Sequence, residues 1–333
     1  MNPSNTELLG IAVERHLVYP PSSISAAAQA YLSAAAQLPP WAPYPALDDK
    51  PAWRRWAAEL DELTRRFMAD IDLSAQVSSE EVLLGGVRNF LAVPRTLADE
   101  DRSKVYLDIH GGALIVGGGD ICRHTGMFAA LRAGVRTYAV DYRMPPDHPY
   151  PAALDDCLRT YCALLETHTP QDIIVGGLSA GGNLAAALML RLADEGIPLP
   201  AGVVLLSPEL DLTESGDSFQ INRPVEVFVR RSLIEINQLY ANGRPLHDPL
   251  LSPLFGDFSK GFPRSFLQAG TRDVFLSNVA RMQHALRKAG VDVELHLNEG
   301  MPHAGFFGAP EDAELSGAVR AFCVRCWREP PGG

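Results

Sequence analysis

Gly177-Leu178-Ser179-Ala180-Gly181 sets a serine between two glycines at the G-x-S-x-G spacing of a nucleophile elbow. Ahead of it, Asp172-Ile173-Ile174-Val175-Gly176 is a short apolar run that reads as a buried strand. Behind it, Gly182-Asn183-Leu184-Ala185-Ala186-Ala187-Leu188-Met189-Leu190 is a helix former. A sharp turn between strand and helix lifts the Ser179 hydroxyl off the sheet, and glycines without Cβ let the two elements approach closely. An alcohol is a weak nucleophile near neutral pH. It needs an adjacent base, and the base needs an orienting carboxylate. After an elbow of this kind the acid and then the histidine are expected further along the chain, each past a later strand.

The chain supplies both. Ser265-Phe266-Leu267-Gln268-Ala269 reads as a strand and runs into Gly270-Thr271-Arg272-Asp273. A helix pattern follows from Ser277 to Ala289, closed by Gly290. Val291 to Leu297 then alternates apolar and polar, as a half-buried strand does, and leads to the loop Asn298-Glu299-Gly300-Met301-Pro302-His303. Asp273 and His303 thus each follow a strand end, the edge at which open parallel sheets build their sites. Taken singly, Asp273 also suits a helix cap and His303 an ordinary loop position. The competing His296 shares the polar phase of its strand with Asp292 and Glu294, all three expected to face solvent. Acyl transfer also needs donors for the oxyanion. Lys104-Val105-Tyr106-Leu107-Asp108-Ile109 reads as a strand entering His110-Gly111-Gly112-Ala113, with Gly117-Gly118-Gly119 close behind. No G-K-[ST] or G-x-G-x-x-G follows that strand, which disfavours a phosphate loop.

These segments, with Asp141-Tyr142-Arg143-Met144-Pro145-Pro146-Asp147-His148-Pro149, Pro151-Ala152-Ala153-Leu154-Asp155-Asp156 and Met301-Pro302-His303, resemble in type and order the signatures of the hormone-sensitive-lipase-like α/β-hydrolases, mostly bacterial carboxylesterases. The resemblance spans roughly residues 80 to 325. It implies a mostly parallel central sheet flanked by helices, with a helical cap. It also implies Ser179 as nucleophile, Asp273 as acid and His303 as base. Oxyanion donors are implied at the N–H groups of Gly112, Ala113 and Ala180, with Gly111 nearby. The D-Y-R segment is structural in the family. Three positions depart from its pattern. Ala113 stands where a third glycine is usual and keeps the donor if its φ is negative. Leu178 precedes the serine in place of Asp or Thr, and Ala304 follows His303 in place of Gly.

The 333 residues are 47% hydrophobic and 21% charged, enough for a large core. A net charge of −11 argues against nucleic-acid and anionic-membrane partners. The absence of an 18-residue apolar run argues against a spanning helix. The first residues lack a basic start and an apolar core, so no signal peptide is read there. The expectation is a cytoplasmic protein with reduced thiols, Cys323-Val324-Arg325-Cys326 included, whose terminal helix pattern suits packing or surface positions. Residues 1–75 read as helical cap segments and 76–333 as the hydrolase core, with a cap insertion at about 212–248 that carries a helical pattern from Val225 to Tyr240. Trp41, Tyr44, Phe219, Val227 and Phe228 are candidate walls for the substrate, or ordinary packing residues. The expected activity is hydrolysis of short to medium acyl esters through an acyl-enzyme, needing neither metal nor organic cofactor. The alternatives are a lactonase or other specialised esterase on a cyclic or bulky substrate, and a non-catalytic ligand-binding protein on the same fold. The family resemblance also implies a homodimer through the strand at Val291–Leu297, an edge that pairing would protect.

Overall fold

The structure, a computed structural model, describes residues 17–37 and 42–329. Eight strands form one sheet: β1 (Val77–Leu84), β2 (Val87–Pro94), β3 (Val105–Ile109), β4 (Arg136–Val140), β5 (Ile173–Leu178), β6 (Gly202–Leu206), β7 (Ser265–Gly270) and β8 (Val293–Asn298). Their order across the sheet is β1-β2-β4-β3-β5-β6-β7-β8. β2 runs antiparallel to both β1 and β4, and all other pairs are parallel. Every residue of β3, β6 and β7 is buried, as expected of strands covered on both faces.

The helices are α1 (Ala26–Ala35), α2 (Lys50–Met68), α3 (Asp120–Ala133), α4 (Ala152–Leu165), α5 (Ala180–Glu195), α6 (Ser218–Ile221), α7 (Ile234–Ala241), α8 (Leu276–Lys288) and α9 (Pro310–Arg328). α3 and α9 cover one face, where Ala129, Ala133, Phe322 and Cys326 pack on Tyr106, Val204 and Phe266. α4, α5 and α8 cover the other, meeting Val105, Leu107, Val175, Val203 and Leu267. α5 is apolar around nearly its whole circumference and almost wholly buried, which suits a central helix. Cys323 and Cys326 are core residues of α9. Among the described residues no helix is long and apolar enough to cross a membrane.

The D-Y-R segment pins the sheet to α4. Asp156, 1% exposed, accepts from the Arg143 main-chain N–H and guanidinium Nε, each at 2.9 Å, and also pairs with Arg159. Tyr142 Oη donates to the carbonyl of His110 at 2.9 Å, so this segment also supports the loop after β3.

Two expectations are corrected. The helical pattern from Val225 to Tyr240 becomes helix only as α7; residues 226–233 are bends and irregular chain, where the Glu226 carboxylate accepts the N–H groups of Val227 and Phe228 that a helix would have bonded to earlier carbonyls. In β8 the phase is the reverse of that expected. Leu295 and Leu297 are 38% and 53% exposed, whereas His296 stacks on Phe266 and Glu294 pairs with Arg325 of α9. β8 is the sheet's last strand, and α9 draws its polar side inward through that ion pair.

α2 is seated by Trp53, fully buried among Ile115, Val116, Phe219 and Phe275, with its indole N–H on the Ala46 carbonyl at 3.0 Å. Truncating a buried indole leaves a cavity the surroundings fill only in part. Trp53→Ala should lower stability by about 3 kcal/mol or more in urea denaturation; a loss under about 1 kcal/mol would show that this side chain does not seat α2.

Candidate active site

Ser179 occupies the junction of β5 and α5 with φ +59° and ψ −121°, and is 8% exposed. Its N–H donates to the Leu206 carbonyl at 2.9 Å, and its own carbonyl accepts from Asn183 at 3.1 Å and Glu209 at 3.2 Å. The strained conformation is therefore held from β6, from α5 and from the segment after β6 at once. Gly181 is required by proximity: a Cβ there would run into the main-chain oxygens of Ile109 and His110. That contact presses α5 against the end of β3 and brings the glycine loop alongside the serine. An ideal Cβ on Gly111 would lie 3.5 Å from the Ser179 Cβ.

In that loop the Gly112 carbonyl accepts from both Ile115 and Val116 at 3.0 Å, closing a tight turn across Ala113 and Leu114. Their φ values are +50° and +63°, so the condition of a negative φ at Ala113 is not met. A two-residue turn with both central φ positive is the type I′ form, closed here by the hydrogen bond from Ile115. Gly112 itself has φ +118°, and a Cβ there would strike the Val116 carbonyl. Among the described residues no hydrogen bond takes the N–H of Gly112 or Ala113. Ala180 opens α5, so its N–H belongs to the unpaired first turn and to the positive end of the helix dipole. The loop is backed by His110, buried and stacked on Tyr142 with 4.0 Å between ring centroids. Burial pulls the His110 imidazole down to about 4, so it is neutral at physiological pH.

Asp273 follows β7 and is fully buried. Its Oδ1 accepts from the Phe275 N–H at 2.8 Å, so the residue also closes the turn into α8. The Oδ1 lies 3.4 Å from His303 Nδ1, longer than a tight hydrogen bond, as unliganded sites commonly show. His303 follows β8, is 2% exposed, and meets the rings of Phe275 at 4.9 Å and Phe228 at 5.9 Å. Burial pulls its proton affinity down; the Asp273 carboxylate and then Glu226 raise it, and the carboxylates prevail, leaving the imidazole above its ordinary value. Since β5, β7 and β8 are parallel, Ser179, Asp273 and His303 all lie past the same edge of the sheet.

A model of the alpha/beta hydrolase fold matches residues 106–307. An esterase of Acinetobacter venetianus is 33% identical over 245 residues, covering 73% of this chain and 78% of its own. The crystal structure of another esterase superposes with TM-score 0.87 at 33% identity, over 95% of this chain and 98% of that one. An esterase of the bacterial hormone-sensitive lipase family superposes with TM-score 0.76 at 27% identity, over 91% and 99%. The chain belongs to the hormone-sensitive-lipase-like esterases of the α/β-hydrolase fold.

Of the wall residues named from the sequence of this esterase, the structure brings Phe228 to His303; it is 42% exposed and stacks on Phe307 at 5.9 Å. Phe219 is one ring removed, edge-on to Phe275. Val227 packs with the cluster of Ile24, Leu32 and Met301, and Tyr44 stacks on Trp53 beneath Arg231. Those two are packing residues. Trp41 lies outside the described residues. The structure also brings to this region residues the sequence did not single out. Phe275 packs on the base, and Phe307 extends the exposed aromatic rim towards Phe67 of α2. Glu226 binds the His303 main chain at 2.9 Å. An aromatic two residues past the acid was a signal available in the sequence for Phe275; the other contacts are long-range. Among the described residues, metal-type donors converge at His110, Cys122 and Asp141, within 4.8 Å of one another. Asp141 there already accepts the Gly119 N–H at 2.9 Å and pairs with Arg88.

Ala113 in a left-handed conformation costs the esterase about 1 kcal/mol that glycine does not incur, offset in part by glycine's freer unfolded chain. Ala113→Gly should hold kcat within about threefold and leave the melting temperature nearly unchanged, whereas the β-branched Ala113→Val, an outlier at positive φ, should lose at least about tenfold in kcat. Equal activity of the two variants would show that the turn does not present the donor.

Proposed function

We propose that this esterase cleaves carboxylic esters through a Ser179–His303–Asp273 triad and an acyl-enzyme. The observation that carries the reading is a serine held at positive φ beside the unpaired N–H groups of Gly112 and Ala113, at the sheet edge where a buried histidine meets a buried aspartate. With Nδ1 turned to Asp273, the other ring nitrogen is left for the serine. His303 takes the Ser179 proton as Oγ attacks the ester carbonyl, and the N–H groups of Gly112, Ala113 and Ala180 take the charge that develops on the carbonyl oxygen. His303 then gives the proton to the departing alcohol. Water enters, loses its proton to His303, and releases the acid by the same route. Asp273 fixes the imidazole tautomer and stabilises the imidazolium without itself becoming protonated.

The rings of Phe228 and Phe275 lie against His303 and limit the room beside it, which favours short to medium acyl chains. Hydrolysis of p-nitrophenyl esters from acetate to dodecanoate tests this. The shorter members should turn over fastest, and Ser179→Ala should lose on the order of a million-fold. A folded wild type inert on the whole series would turn the reading to cyclic esters, tested next with lactones.

The base works only when neutral. Because His303 is held above the ordinary value of about 6.5, kcat/KM should fall as pH drops through a midpoint above that value. A midpoint below it would mean that burial outweighs the two carboxylates.

A further inference from the structure

Glu226 is a carboxylate buried at 2% exposure in the turn between α6 and α7, outside the three residues of the triad. Among the described residues no lysine or arginine forms an ion pair with it. Instead Oε2 accepts the main-chain N–H of His303 at 2.9 Å, while Oε1 accepts those of Val227 and Phe228 at 2.8 Å each. The Glu226 N–H in turn donates to the Asn222 carbonyl at 2.8 Å, and the Asn222 amide donates to the carbonyls of Asp273 at 2.8 Å and Thr271 at 3.1 Å. One turn therefore grips both loops: Asn222 holds the loop of the acid and Glu226 the loop of the base. The same turn delivers Phe228 to the His303 ring.

We propose that Glu226 is a positioning residue for the esterase reaction, seating His303 through its main chain and setting a second negative charge beside the imidazolium that forms there. The inference rests on the triad reading given above. Burying a carboxylate without a cationic partner is costly, and a neutral side chain would fill the same turn at less expense. The charge is useful where a cation forms transiently in a dry site, because attraction is strongest where water is excluded. Glu226 takes up no proton in this role. The proton leaving Ser179 Oγ goes to His303 and returns to the leaving alcohol. The ionisable groups facing Glu226 are His303 and Asp273, and Tyr31 from α1, whose phenol burial and then Glu226 push up to about 12, so it stays neutral. Burial, and then Asp273, raise Glu226 itself, while His303 and the main-chain donors act the other way.

The test is the pH profile of p-nitrophenyl butyrate hydrolysis by the full-length wild type and Glu226→Gln, with Ser179→Ala and His303→Ala measured alongside. For Glu226→Gln the expected result is kcat lower by about tenfold or more, with KM within about threefold. The acid limb of kcat/KM should also move down by about one pH unit, because one of the charges that holds the proton on His303 is gone. A lower kcat with the acid limb at its wild-type position would overturn the proposal, leaving Glu226 a fold residue only; an unchanged kcat would overturn it as well. Should Glu226→Gln fail to fold, Glu226→Asp draws the charge back by one methylene. A smaller shift of the limb in the same direction is then expected, and a limb at the wild-type pH overturns the proposal. Turnover retained by Ser179→Ala or His303→Ala removes the triad reading and this proposal together. Turnover lost in both upholds the triad, so that a failure of the Glu226 variants to shift the limb then counts against this proposal alone.

Discussion

The contact of α5 with the end of β3 governs the active-site end of this esterase. Gly181 lies so close to the main-chain oxygens of Ile109 and His110 that no side chain fits between them. This contact sets the first turn of α5 beside the glycine loop that follows β3, so the serine and its prospective oxyanion donors come from two elements yet share one rigid junction. A serine at φ +59° is disfavoured on its own by about 1–3 kcal/mol. It persists because its N–H is committed to β6 and its carbonyl to both Asn183 and Glu209. Asn183 is itself locked, its amide donating to the carbonyls of Glu209 at 2.7 Å and Leu251 at 2.8 Å. The elbow can be released only by breaking several buried bonds together.

The opposite constraint applies at the base. His303, Asp273 and Glu226 are all buried, and a dry site amplifies every charge in it. A neutral imidazole between two carboxylates leaves the resting site short of positive charge, and in the proposed mechanism proton transfer from the serine supplies it. The main-chain N–H groups of Phe275, Val227, Phe228 and His303 solvate the carboxylates in place of water. Such donors stay put as the reaction proceeds, so little reorganisation is needed when the imidazolium forms.

Much of this architecture was legible in the sequence because its signals are local. The strand–turn–helix around Ser179, the strand before Asp273 and the glycine loop after β3 each lie in one short stretch of sequence, and the parallel sheet follows from alternating apolar runs and helix patterns. Part of what escaped is set by distant partners, and part by local bonds that residue type does not announce. Glu226 meets His303 across 77 residues of sequence, so no window shows the pair. The segment 225–233 has helical periodicity, but the Glu226 carboxylate takes the N–H groups of Val227 and Phe228 that a helix would have bonded to earlier carbonyls. In β8, alternation marks two faces without saying which is inward; the ion pair with Arg325 and the stack of His296 on Phe266 decide it, and the leucines turn out. The left-handed conformation of Ala113 belongs to the turn closed by Gly112 and Ile115, and residue type alone does not give the sign of its φ.

Backbone strain in the described residues is distributed with the same logic. Ala113 and Leu114 in the oxyanion loop, Ser179 at the elbow, Ser207 at the end of β6, and Ala304 and Phe307 just past the base all have positive φ. Glu214 and Asn242 are the remaining non-glycine positions of this kind, and both lie in the segment between β6 and β7 that carries the Glu226 turn. The strands and helix interiors have none. At about 1–2 kcal/mol each, the strained positions add up to an amount comparable with the net stability of about 5–15 kcal/mol typical of a domain. A sheet whose central strands are buried along their length, and a central helix buried nearly all round, offset that cost. Glycine at Ala113 would remove its share of that cost from the folded state, but its freer unfolded chain offsets the gain, so alanine there leaves the net stability nearly unchanged while keeping the main-chain N–H of the turn.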